Sequence, residues 1–158
     1  MKIISFTLLL FMAQIGFTQV GTVFPRIETY DLNEKKVSIP EDTKGKFTLI
    51  GVAFSEDAQQ DLYSWSEPVY NNFLNENSLS SLVYDPNVHL ILMFTGANQL
   101  IYNKAKMEIT EGTDKTLREN VVLYKGKMED YRDVLKMKNR KEPYFFVLDK
   151  NGKINYAT

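Results

Sequence analysis

The chain has 158 residues, of which 44% are apolar and 25% charged, as expected for one globular domain with its own core. Lysine plus arginine number 19 and aspartate plus glutamate number 20, so the formal net charge is −1. This balance excludes the strongly basic surface that binds nucleic acid or an anionic membrane. The chain contains no cysteine, so no disulfide forms and stability must come from packing.

Residues 1–18 have the pattern of a secretory signal peptide. Lys2 precedes an almost uninterrupted apolar stretch over residues 3–17, with small residues near its end. The stretch is shorter than the roughly 20 residues that cross a bilayer as a helix. We therefore expect cleavage after Thr18, one domain over residues 19–158, no stable membrane span, and a periplasmic or secreted protein. Anchoring in the inner membrane by an uncleaved segment is the alternative.

The first half of the mature chain predicts a hairpin, a strand and a bent helix. Loose alternation of apolar residues between Ile27 and Ile39 indicates the hairpin. Residues 47–54 are apolar on both faces, which is typical of a central parallel strand. Apolar residues at helical spacing predict a helix over residues 62–74. Pro68 predicts a kink or restart in it, with Ser66 as a candidate cap.

The second half continues the alternation of strands and helices. The predicted elements are strands at 88–95 and 121–124, helices at 96–107 and 128–137, and a closing hairpin of 144–148 with 154–156. Strands separated by helices imply parallel crossovers, and the hairpins add antiparallel strands. The sequence therefore predicts an α/β domain with a mixed central sheet, flanking helices and an N-terminal β-hairpin.

This order of elements, together with several motifs, resembles the redoxin branch of the thioredoxin superfamily over nearly the whole mature chain. The motifs are Pro25 in the lead-in, the Asp31 to Ile39 hairpin, Gly45-Lys46 before the first long strand, and the run from Pro143 to Gly152. The resemblance implies a thioredoxin-like fold. It also implies that Pro143 occupies the place of the cis-proline that lies beside the redox site in that family.

The chain departs from the redoxin pattern in the loop after its first long strand. Active relatives carry one or two cysteines there, whereas residues 54–60 read Phe-Ser-Glu-Asp-Ala-Gln-Gln. Thiol exchange and peroxide reduction need a thiolate nucleophile, and neither a hydroxyl nor a carboxamide replaces it. Thiol redox chemistry is therefore excluded.

A narrower similarity is to the mitochondrial ATP synthase assembly-factor family. It rests on Phe54-Ser55, on Ser64 to Pro68 followed by Phe73, and on the hairpin from Pro143 to Tyr156. Members of that family keep a redoxin-like fold without relying on a cysteine pair, and they chaperone a membrane subunit. The resemblance implies a non-catalytic, protein-binding use of the fold.

The candidate partner-binding residues surround the former redox loop and the helix that follows it. They are Ser55, Glu56, Asp57, Gln59, Trp65, Glu67, Pro68 and Pro143. We expect the loop and Pro143 to contact an extended protein partner through backbone hydrogen bonds. Two simpler interpretations stand beside this one. Acidic residues after the strand are typical helix caps, and aromatic residues at helical spacing around Trp65 are typical of a core.

Two other functions remain open at this point. A serine- and histidine-based hydrolase or transferase would need Ser55 and His89 within about 3 Å of each other or of a shared water. His89 lies in a predicted buried strand, so a hydrogen-bonded core histidine is the simpler interpretation. The other function is purely structural, as a degenerate redoxin paralogue.

The sequence predicts no cofactor and no metal. One histidine without cysteine gives no zinc-ligand cluster, and Asp149 to Gly152 lacks the ligand spacing of a calcium loop. The chain ends at Thr158, whereas redoxins usually continue into a further helix. We therefore expect one sheet face to be less covered, which favours a homodimer or a reduced stability.

Overall fold

Seven strands form one central sheet in the computed structural model, which describes residues 19–75 and 77–158. The predicted signal peptide, residues 1–18, lies outside these ranges. The strands are β1 (Ile27–Asp31), β2 (Lys36–Ile39), β3 (Thr48–Ala53), β4 (Asn87–Thr95), β5 (Val121–Gly126), β6 (Tyr144–Leu148) and β7 (Ile154–Ala157). The helices are α1 (Glu56–Ser64), α2 (Ser66–Val69), α3 (Leu79–Val83), α4 (Tyr102–Gly112) and α5 (Glu129–Arg132).

The sheet is mixed, as the sequence predicts. Its order is β2-β1-β5-β4-β3-β6-β7. The three middle strands, β5, β4 and β3, are parallel, because helical crossovers connect them. The two hairpins β1–β2 and β6–β7 add antiparallel strands on either side. The predicted fold class is therefore confirmed, including the N-terminal hairpin.

Both faces of the middle strands are buried, which explains their unbroken apolar sequences. One face packs Ile50 and Val52 of β3 against Ile91 of β4 and Phe146 of β6. The other face packs Ala53 against residues of α1, α4 and the neighbouring strands; this cluster includes Ala58, Leu62, Leu90, Leu92 and Ile109. The core therefore has two layers, one on each side of the sheet.

The helical stretch after β3 is broken, as the proline predicts. α1 ends at Ser64, α2 spans Ser66–Val69, and a π-helical turn follows over Tyr70–Leu74. Pro68 lies in the first turn of α2, where a backbone N–H is not needed. The suggested cap at Ser66 is wrong: Trp65 occupies that position, and no side chain there accepts a hydrogen bond.

The remaining helices differ in extent from the predictions. The predicted helix at 96–107 is a 3-10 turn, Gly96–Ile101, followed by α4. The predicted helix at 128–137 is α-helical only in α5, and Lys136 soon after it has a positive φ of 50°. The short helix α3 was not predicted. None of the helices in the described ranges has the length and apolarity needed to cross a bilayer.

α1 packs closely against the sheet at Gly51. A Cβ atom at this position would lie 2.6 Å from Leu62 Cδ1 and 3.1 Å from Leu90 Cδ2. We expect Gly51→Ala to lower the free energy of unfolding by about 1–3 kcal/mol, because the core is overpacked. Urea unfolding followed by circular dichroism measures this.

Gly112→Ala is the matched control, since nothing lies within 4 Å of a Cβ atom built there. Its free energy of unfolding should stay unchanged or rise by up to about 1 kcal/mol, because alanine favours the helix. Equal destabilisation by the two substitutions would contradict the close packing at Gly51.

Candidate partner-binding groove

An apolar groove lies between the helical segment that follows α1 and the surface of strands β3, β6 and β7. We call it the Trp65 groove. It encloses about 550 Å³ and is lined by Leu49, Trp65, Pro68, Val69, Asn72, Phe73, Phe145, Val147, Tyr156 and Thr158. Nearly all of these side chains are apolar or aromatic, so the groove is suited to an apolar occupant.

Trp65 forms one rim of the groove. It follows α1 directly, and its N–H donates to the Leu62 carbonyl at 3.1 Å. Its ring packs on Phe145 with the ring centroids 5.1 Å apart, yet 49% of the residue is exposed. The core interpretation of the aromatic residues is therefore wrong for Trp65. The helix restarts at this residue. Of the apolar residues at helical spacing over residues 62–74, only Leu62 and Val69 are therefore buried.

The opposite wall of the groove comes from the closing hairpin, which the sequence analysis did not assign to the site. Phe145 and Val147 of β6 and Tyr156 of β7 line it, and Tyr156 is 55% exposed. One signal was present in the sequence. β6 reads Tyr-Phe-Phe-Val-Leu, apolar at every position, which requires apolar contacts on both faces of the strand.

The predicted residues at the former redox loop lie elsewhere. Ser55 is the N-cap of α1: its Oγ accepts from the Ala58 N–H at 3.2 Å and donates to the Arg140 carbonyl. Glu56 and Asp57 occupy the first turn of α1, where the helix dipole favours acids. Ser55, Glu56 and Gln59 line a separate cleft of about 470 Å³ between α1 and α4.

The predicted site residues therefore do not come together in one place. Trp65 and Pro68 line the Trp65 groove, whereas exposed Asp57 and Glu67 line neither the groove nor the α1–α4 cleft. Pro143 precedes β6 and lines neither one. The resemblance to redoxins left open whether the bond before Pro143 is cis, and in the structure it is not. Within the described ranges the cis peptide bond is Ile39-Pro40.

The geometry removes the hydrolase hypothesis. His89 lies opposite Ile50 in the pairing of β3 with β4, and Ser55 comes five residues after Ile50. At about 3.3 Å per residue, the two sites are roughly 16 Å apart along the sheet. A serine nucleophile and its base need hydrogen-bond contact. Ser55 therefore has no histidine base.

His89 is mostly buried at the other end of the sheet. It lies in a polar cleft of about 620 Å³ whose lining includes Asp31 and Lys46. Burial lowers the pKa of His89 from its ordinary value of 6.5 to about 4, and the nearby Asp31 carboxylate opposes this only in part. Its Nδ1 is buried without a hydrogen-bond partner, so the expectation of a hydrogen-bonded histidine is wrong for this atom. Across the described residues, no three His, Asp or Glu side chains group as metal ligands.

The low pKa of His89 makes an acid-sensitive contribution to stability. The unfolded chain binds a proton to this histidine near pH 6.5 and the folded chain only near pH 4. Stability should therefore fall as the pH drops from about 6.5 to 4, by roughly 3 kcal/mol in all, and then level off. In His89→Leu this contribution should be absent. Urea unfolding of both proteins from pH 7.5 to 3.5 measures the difference, and parallel pH profiles would contradict it.

Solved structures with a similar fold include two thiol-disulfide proteins. The thioredoxin domain of a thiol-disulfide oxidoreductase from Bacteroides vulgatus is 23% identical, with a TM-score of 0.53 over 87% of this chain and 86% of that one. A putative thiol:disulfide interchange protein from Chlorobium tepidum is 11% identical, with a TM-score of 0.55 over 87% and 83%. At these identities the likeness shows a thioredoxin-like fold. A comparison with curated protein sequences finds no match.

The family comparison covers almost the whole domain. The model described as ATP10 protein matches residues 17–158, which include every strand and helix of the fold. This match agrees with the similarity to ATP synthase assembly factors in the segments around Ser55, Trp65 and the closing hairpin. The chain therefore belongs to the ATP10 protein family.

Proposed function

We propose that this protein is a non-catalytic, exported assembly module of the cell envelope that binds a protein partner in the Trp65 groove. The observation that carries the proposal is an open apolar groove, rimmed by a half-exposed tryptophan, on a thioredoxin-like domain without cysteine. Such a domain has no thiolate to carry out exchange. Its binding surface does not depend on sulfur.

The groove has the features of a protein-binding surface. Tryptophan and tyrosine are the residues that most often dominate interface energetics, and Trp65 and Tyr156 lie at its two rims. Apolar side chains between them form its floor. Membership of the ATP10 protein family supports an assembly role, because family members resemble factors that chaperone a membrane subunit.

Export is part of the proposal and rests on the N-terminal sequence. Residues 1–18 have a basic start and a short apolar centre, so cleavage after Thr18 would release residues 19–158 into the periplasm or the medium. The alternative, an uncleaved segment, would hold the domain at the inner membrane. The expected homodimer stays a prediction. Sedimentation of the exported protein would measure its oligomeric state.

Site-specific photo-crosslinking in an exporting host tests the function. A photoreactive residue replacing Tyr156 should capture a partner chain, because Tyr156 lies on the groove rim. Adding Trp65→Ala should reduce the capture about tenfold or more, as for truncation of a central aromatic anchor. The captured band is identified by mass spectrometry.

Leu100 provides the control position. It is 89% exposed and apolar but does not line the Trp65 groove. A photoreactive residue there should give no capture that depends on Trp65. Equal capture from both positions, or capture through Tyr156 that is unaffected by Trp65→Ala, would contradict the proposal. No capture from Tyr156 at all would also contradict it, and would favour a purely structural role.

A further inference from the structure

The Trp65 groove continues into a second apolar cleft with a charged end. This cleft encloses about 580 Å³ and shares Leu49, Phe73 and Val147 with the groove. Because the two spaces share these lining residues, they adjoin each other on the sheet surface, and we treat them together as one channel. We call the added part the Lys150 extension, after the lysine at its far end.

The apolar floor of the channel has a defined length. Phe145 lies opposite Gly51 and Val147 opposite Leu49, and Phe47 follows on the same side in the Lys150 extension. The four residue-to-residue steps from Gly51 to Phe47 span about 13 Å at about 3.3 Å each. A helix covers that distance in about nine residues, at 1.5 Å per residue. This is well short of the roughly 20 residues of a membrane-spanning helix.

The charges at the far end are not balanced. Lys46 pairs with Asp85 across the end of the extension, so these two charges compensate each other. Lys150 lies beside them and is exposed. No ion pair within residues 19–75 and 77–158 involves Lys150. The apolar floor therefore ends at a cationic rim.

From this arrangement we infer that the occupant is a short amphipathic segment of a partner protein, apolar over two to three helical turns and bearing a carboxylate next to Lys150. The inference rests on the proposed function and names its partner chemistry. The apolar part fills the channel from Trp65 to Phe47. The carboxylate then meets the exposed ammonium group of Lys150, which has no ion-pair partner among the described residues.

Titration of the full exported chain with synthetic peptides tests this inference. Trp65 is the only tryptophan and lies on the groove rim, so its fluorescence reports occupancy directly. The probes are tryptophan-free amphipathic helices of about 12 residues whose flank is Glu-Glu, Gln-Gln or Lys-Lys, placed at either end. We expect a blue shift of the Trp65 emission on binding. At low salt, one Glu-flanked peptide should bind at least about threefold more tightly than its Gln-flanked counterpart.

Charge reversal gives the decisive comparison. Lys150→Glu should invert the preference toward the Lys-flanked peptide, whereas Lys153→Glu should leave it unchanged. Lys153 is an exposed lysine of the same hairpin that lines neither part of the channel.

Peptide binding that does not depend on the charge of the flank, or that both variants alter equally, would overturn the inference and leave groove binding intact. The absence of any Trp65 response would overturn the proposed function as well. A blue shift that grows with protein concentration alone would identify a second copy as the occupant and overturn the inference.

Discussion

The close approach of α1 to β3 at Gly51 is the constraint on which the Trp65 groove depends. Leu62 reaches the sheet because Gly51 has no side chain in its way. Trp65 follows Leu62 by three residues, and α2 begins directly after it. The Trp65 ring packs on Phe145, which lies opposite Gly51 in the pairing of β3 with β6. A bulkier residue at position 51 would lift the helix and with it the tryptophan rim. Core packing on one strand thus fixes the position of a surface groove.

The polar residues of the loop after β3 are engaged within the domain. The Ser55 hydroxyl caps α1 and also donates to the Arg140 carbonyl, so both of its hydrogen-bonding capacities are used within the domain. Glu56 and Asp57 support the helix dipole. These loop residues therefore stabilise the fold locally. The apolar surface available for recognition lies instead on the sheet face beside Trp65.

The fold was predictable from the sequence because its signals are local and mutually consistent. Unbroken apolar strands, a proline within a helical stretch and an asparagine-glycine turn each specify one element. The candidate site was only partly predictable. Trp65 is a candidate binding residue from its sequence, but helical spacing makes a core position the simpler interpretation, since periodicity does not reveal that a helix restarts at that residue. Phe145 and Tyr156 were missed because their role depends on pairing between distant strands. The unpartnered nitrogen of His89 likewise depends on tertiary packing.

The Lys46–Asp85 pair separates two regions of opposite character. Both residues line the Lys150 extension on one side and the polar cleft of His89 on the other. Both are largely exposed, so the ion pair adds little to stability, in the range of 0–1 kcal/mol. Its effect is positional: two charged groups held together form a polar boundary that an apolar segment cannot cross without desolvating them. An apolar segment in the channel would therefore have to end at this pair, because passing it would remove water from both charges. This cost limits both the length and the direction of any occupant of the channel.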